Sequence, residues 1–242
     1  MAKRESTIRL IQNNTNKIIS IKIEQEAAQT PPTPEPRRIT ILQMIPTVTT
    51  AHLYCRVSGK IDWGDNEIDY ADNTLDLNIH DYKTTSINSR LITIDGDITR
   101  TDTSECLTDT KTLTAVRRIG SIKGSLAHLF ENCNNLITFV GVLDDIYLTD
   151  NSIQSLFAGC TKLKKILPNI FDNCRKLTNF RDCFNGCSNL TGESPYTMVN
   201  GKKIKLWERS PENGFAKPTV YDGCFRGCEQ LSDYDSIPSS WK

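Results

Sequence analysis

A chain of 242 residues with 29 basic and 29 acidic side chains has no net charge, which argues against nucleic acid as a partner. No apolar run approaches bilayer-spanning length, so membrane insertion is not expected. The length suits one large or two small domains, and the charge is uneven: +3 over residues 1–38, −6 over 39–105 and +3 over 106–242.

The chain opens MAKRESTIRLIQNN, where Gln12, Asn13 and Asn14 interrupt the apolar residues, so no secretory signal is predicted. Over residues 18–24, Ile19, Ile21 and Ile23 recur with the two-residue period of a half-buried strand. One short strand is not stable alone. Residues 1–29 are therefore expected to be an extended docking arm, with Ile19, Ile21 and Ile23 as partner contacts. Residues 30–38 contain Thr30-Pro-Pro-Thr-Pro-Glu-Pro36, which reads as a semi-rigid linker.

From residue 39 to 104, strand-length apolar stretches alternate with turn formers: Ile39–Ile45, Ala51–Val57, Leu75–Ile79 and Leu91–Ile94. That spacing predicts a small β-sandwich. Gly59-Lys-Ile-Asp-Trp-Gly-Asp65 supplies a strand, an aromatic anchor at Trp63 and a turn; His80-Asp-Tyr82 follows. Asp62, Asp65, Glu67 and Asp69 suit either turn formation through Asp side chains or calcium binding, but they do not satisfy the spaced D-x-D-x-D-G loop. The series resembles the PKD-like, immunoglobulin-type sandwich, whose hallmark is a W-G-D-G element followed by H-x-Y; here Asn66 replaces the last glycine.

The remainder is repetitive. Leu129-Phe130-Glu-Asn-Cys133-Asn-Asn-Leu136 recurs as Leu156-Phe157 to Leu163, Ile170-Phe171 to Leu177, Cys183-Phe184 to Leu190 and Cys224-Phe225 to Leu231. Successive motif cysteines lie 27, 14, 13 and 41 residues apart, multiples of a step of about 13.6, which implies units stacked along an axis. A decayed copy, Cys106-Leu107 to Leu113, starts the array near residue 105. Each copy reads as one helical turn followed by a strand-like step, the plan of a leucine-rich repeat. The pattern is similar to the BspA-type leucine-rich repeats of bacterial surface proteins, which often follow a PKD-like domain, and the end Leu231–Trp241 looks like that family's cap. The resemblance implies adhesion and recognition rather than catalysis.

Cys183 with Cys187, and Cys224 with Cys228, form two C-x-x-x-C pairs that suit zinc or a disulfide. Cys183 and Cys224, however, fill the slot of Leu129, Leu156 and Ile170, so core packing is the favoured reading. His52, His80 and His128 belong to no catalytic or metal motif, and neither a phosphate-binding glycine loop nor a G-x-S-x-G element is present in the sequence. No enzyme activity, cofactor or metal is expected. Between the last two motifs, Tyr196, Lys202, Lys203, Lys205, Trp207 and Arg209 interleave aromatic and basic groups, as contact with a glycan, acidic polymer or protein requires. The alternative is further repeat units with an extruded hairpin.

The predicted fold class is β-rich α+β: a β-sandwich at 39–104, a short leucine-rich-repeat-like solenoid with its cap at 105–242, and an extended N-terminal arm. The expected function is that of a non-enzymatic virion protein of a bacteriophage, a head or tail fibre or capsid decoration component. Lysis releases such a protein without a signal peptide, and free cysteines fit assembly in a reducing cytoplasm. Expected partners are other virion subunits through the arm and a host-surface glycan or protein, with a homo-oligomer in the assembly and a place on the virion surface. The alternative is a bacterial cell-surface adhesin expressed without its leader.

Overall fold

The computed structural model describes residues 4–11, 18–25, 39–84, 86, 88–101, 106–120, 122–144, 148 and 152–242, the first two ranges by backbone alone. Residues 1–37 and 38–242 are separate compact units. In the first, β1 (Arg4–Ile11) and β2 (Ile18–Gln25) pair antiparallel, with Leu10 opposite Ile19, Ile8 opposite Ile21 and Ser6 opposite Ile23. The strand expected at 18–24 is present, but it forms a hairpin with the chain's own β1, not a single extended arm. The proline-rich linker lies outside the described residues.

The second unit is β-rich with almost no helix. Its strands are β3 (Ile39–Met44), β4 (Thr50–Leu53), β5 (Arg56–Asp62), β6 (Ile68–Asp72), β7 (Asn78–Asp81), β8 (Arg90–Thr99), β9 (Leu113–Arg118), β10 (Ile122–Lys123), β11 (Thr138–Phe139), β12 (Tyr196–Val199) and β13 (Lys202–Lys205). A mixed seven-stranded sheet runs β11-β9-β3-β8-β5-β6, with β10 beside β8; β4 with β7 and β12 with β13 form two small sheets. Alternation explains the long β8: Ile92, Ile94 and Ile98 point into the core while Leu91 and Asp95 face out. Gly96 faces Gly59 across the β5–β8 pair, and a Cβ on Gly96 would meet the Ser58 carbonyl at 2.2 Å, so this crossing admits only glycine.

Two strand expectations change, and one strand, β6, was not expected. The stretch Ala51–Val57 divides into β4 and β5, because the Tyr54 N–H leaves the strand direction to donate to Leu107 O at 2.9 Å. The acid-rich β6 has no apolar alternation to announce it and exists by pairing with β5. Of Leu75–Ile79 only the end is strand, and Leu75 is 63% exposed.

Strand β9 pairs with β3, so chain from both sides of residues 102–105 shares one sheet, and a continuous apolar core runs from Leu42 to Trp241. Beyond it, backbone groups of successive motifs pair in a ladder of hydrogen-bonded rungs. The N–H groups of His128, Phe130 and Asn132 donate to the carbonyls of Gln154, Leu156 and Ala158. Those of Ser155, Phe157 and Gly159 donate to Arg181, Cys183 and Asn185, and those of Asp182, Phe184 and Gly186 to Asp222, Cys224 and Arg226. Inside, the rings of Phe130, Phe157, Phe184 and Phe225 stack face to face at 5.6, 5.5 and 5.4 Å. The column ends on Trp241, whose carbonyl accepts the Phe225 N–H at 2.8 Å and whose ring stacks on Tyr221 at 4.8 Å.

Motifs paired on adjacent rungs lie 27 residues apart, twice the step inferred from cysteine spacing. The far side repeats at the same interval: Lys164 N–H donates to Ile137 O, and Thr191 N–H to Lys164 O. The motif at Phe171 lies on that far side, where Leu143 N–H donates to Ile170 O, and its ring meets Phe184 edge-on at 6.2 Å. Nor is each motif a helical turn. The residues two before and two after each column Phe are left-handed: His128 and Asn132, Ser155 and Gly159, Asp182 and Gly186, Gly223 and Gly227. Positive φ on both sides of the Phe keeps the motif from closing a helical turn and aims alternate N–H groups at the next rung. This is why Asn or Gly precedes each column cysteine.

Candidate recognition surface

The interval singled out in the sequence is a hairpin inserted between the third and fourth column phenylalanines. Strands β12 and β13 pair Tyr196 with Lys205 and Val199 with Lys202 through a turn at Asn200-Gly201, both at positive φ. This extruded hairpin lengthens the 27-residue rung to 41.

Tyr196, Lys203, Lys205 and Trp207 do come together. Lys203 Nζ lies 4.5 Å and Lys205 Nζ 5.1 Å from the Tyr196 ring centroid, and Lys205 Nζ lies 5.9 Å from that of Trp207. Three side chains absent from the sequence prediction organise them. Glu193 binds Lys203 at 2.5 Å and Lys205 at 2.8 Å, and Asp233 binds Lys205 at 2.6 Å while accepting the Ser194 hydroxyl at 2.6 Å. The Lys203 and Lys205 hydrogen bonds hold the Glu193 carboxyl below its ordinary range. Partial burial pushes Asp233 up, but the bonds from Lys205 and Ser194 outweigh it and leave it lowered. Two of the three hairpin lysines are thus neutralised within the fold, and Lys202 is exposed beside them.

Trp207 is half-buried and set edge-on to Phe225 and Trp241. Arg209 is 3% exposed. Its guanidinium donates to Cys174 O and Phe171 O, each at 2.8 Å, and lies 4.3 Å from the Phe215 ring centroid. These carbonyls belong to the off-column motif, and Arg209 adds a donor to each, at Phe171 O beside the Cys174 N–H, so its role is internal. Sequence distance hid this: Arg209 stands 35 and 38 residues from the two carbonyls. Ile19, Ile21 and Ile23 lie on β2 of the separate N-terminal unit.

The carboxylate cluster disperses among different donors. Asp62 accepts the Gly64 N–H, Asp65 the Glu67 N–H and His80 Nε2, and Asp69 the Trp63 indole N–H at 2.7 Å, while Glu67 pairs with Lys83. Together with left-handed Gly64 and Asn66, these bonds build the β5–β6 turn; Asn66 adopts φ +73, the conformation the missing glycine would have taken. His80 stacks on Trp63 at 5.1 Å, and Tyr82 donates its hydroxyl to Trp63 O at 2.9 Å. His52 lies 2.8 Å from Asp109, and His128 2.7 Å from Glu131.

The cysteines are free thiols, all buried except half-buried Cys106. Cys160, Cys187 and Cys228 donate S–H to Phe130 O, Phe157 O and Phe184 O, one rung back, at 3.1, 3.1 and 3.0 Å. Burial pushes the Cys55 thiol up to about 12 and raises Cys160, Cys187 and Cys228 as well. The C-x-x-x-C residues are part of this packing, with Cys183 and Cys224 in the slot of Leu129 and Leu156. Among the described residues no group of three His, Cys, Asp or Glu side chains has a geometry that could hold a metal ion.

No protein-family model matches the chain, and no curated protein matches its sequence.

Proposed function

We propose that this chain is a non-enzymatic structural and recognition protein of a virion, a head or tail fibre or capsid decoration component displaying adhesion-type domains. In this reading residues 39–104 are a PKD-like sandwich, 105–242 a leucine-rich-repeat-like solenoid with 27-residue rungs, and the N-terminal region docks to other virion subunits. The observation that carries it is the column of thiol hydrogen bonds from Cys160, Cys187 and Cys228. A disulfide sulfur has no proton to donate, so these contacts suit reduced cysteine, the form kept in a host cytoplasm where virions assemble. Display is supported by the exposed positions along the rungs. Ile137, Lys164 and Thr191 repeat in register, an ordered strip suited to a host-surface glycan or protein.

The test is mass spectrometry of gradient-purified phage particles beside a washed host-envelope fraction. Peptides of this chain are expected at stoichiometric abundance in the particles. Their confinement to the envelope fraction would replace the reading with that of a cell-surface adhesin.

A further inference from the structure

The thiol column breaks at its first member. Where Cys160, Cys187 and Cys228 each reach the carbonyl one rung back, the corresponding carbonyl for Cys133 belongs to Leu107 and already accepts the Tyr54 N–H at 2.9 Å. Cys133 Sγ lies instead 3.2 Å from Cys106 Sγ, about 1.2 Å beyond covalent S–S length. Cys106 belongs to the decayed first copy, in the slot that Leu129 fills on the next rung: Leu107 N–H donates to Leu129 O as Phe130 N–H donates to Leu156 O. Cys106 is the one cysteine that is only half-buried, and its S–H donates to Leu129 O at 3.0 Å.

We propose that Cys106 and Cys133 are an oxidation site that closes to a disulfide by exchange with a small-molecule disulfide of the glutathione class. The Cys106 thiolate attacks one sulfur of the oxidant, forming a mixed disulfide and releasing one small thiolate. The Cys133 thiol gives up its proton and attacks the Cys106 sulfur, releasing the second. Two protein thiols are oxidised, one small disulfide is reduced to two thiols, and the atoms balance. The two sulfurs are unequal in the sense this order needs. The hydrogen bond from Cys133, aided by Arg100, lowers the Cys106 thiol, whereas the contact with Cys106 and burial raise that of Cys133. The bond joins residues 27 apart and pins the first rung to the second. The other thiols, Cys183 and Cys224 included, are closed to the same reagent by burial. This chemistry is independent of whether a virion or a cell envelope carries the chain.

The experiment takes the full chain reduced, then desalted under nitrogen, and equilibrates it with oxidised glutathione. Intact mass is expected to fall by about two hydrogens, with loss of two of the nine thiols and a cross-linked peptide joining Cys106 to Cys133. The oxidised form is expected to unfold at a midpoint roughly 5–10 °C higher. Cys106→Ser, at the accessible end of the pair, is expected to keep its remaining thiols under the same treatment. Retention of all nine thiols by the parent chain, a stable glutathione adduct without closure, or a disulfide mapped to another pair would each overturn the proposal.

Discussion

Replacing Arg209 with alanine separates an internal role from a role at a binding surface. The guanidinium is 3% exposed and gives two N–H donors to Cys174 O and Phe171 O, both at 2.8 Å, above the Phe215 ring. Alanine removes two hydrogen bonds from a charged donor, about 1–2 kcal/mol each since Phe171 O keeps the Cys174 N–H, and a cation–π contact of about 1 kcal/mol. The expected loss is about 3–5 kcal/mol, a large fraction of a typical domain's stability of about 5–15 kcal/mol. Lysine keeps the charge but not the fork, so Arg209→Lys is expected to lose roughly half as much. Urea unfolding followed by tryptophan fluorescence reads this directly, since Trp207, two residues before Arg209, packs on Trp241 of the cap. A loss under about 1 kcal/mol for Arg209→Ala would refute the internal role and return Arg209 to the partner contacts that its sequence neighbourhood suggests.

Other outcomes follow from the same geometry. Phe157, buried and stacked on both Phe130 and Phe184, should cost about 4–5 kcal/mol as alanine, and a denaturation loss under about 2 kcal/mol would mean the column is not close-packed. Gly186 holds φ +75 with room for a Cβ, so Gly186→Ala should lose about 1 kcal/mol by backbone strain alone, while Ser155→Gly at φ +52 should gain a few tenths in the same assay. Asp233 has a folded pKa below its unfolded value, so its contribution is present above pH of about 4 and is lost as pH falls through the folded pKa. The urea midpoint of the parent chain should therefore drop more between pH 5 and pH 2 than that of Asp233→Asn; parallel profiles would remove Asp233 as the titrating group.

How much was legible before folding differs between kinds of feature. Local order was readable wherever one residue type recurs because one backbone or packing need recurs: the four column Phe-x-Asn/Gly-Cys motifs mark a left-handed residue before a buried thiol, and Ile19, Ile21 and Ile23 mark a strand. Strand β6 was not readable, since its Asp-rich sequence takes strand geometry only from β5. At the hairpin, the aromatic and basic residues were visible but their neutralisation was not. Glu193 and Asp233 approach Lys205 from 12 and 28 residues away, through a rung closure that no local pattern encodes.

The cysteines mark the division. Their types and intervals alone established a repeat and a small apolar slot shared with leucine and isoleucine, because volume and hydrophobicity belong to the residue itself. Only the tertiary structure decided that hydrogen-bonded motifs lie 27 residues apart and not half that, because which copies pair depends on backbone N–H groups finding carbonyls across the rung. The same closure decided that Cys160, Cys187 and Cys228 meet carbonyls while Cys133 meets another sulfur. Distance between chain-remote atoms is a property of the fold, and the chemistry of a thiol follows from that distance.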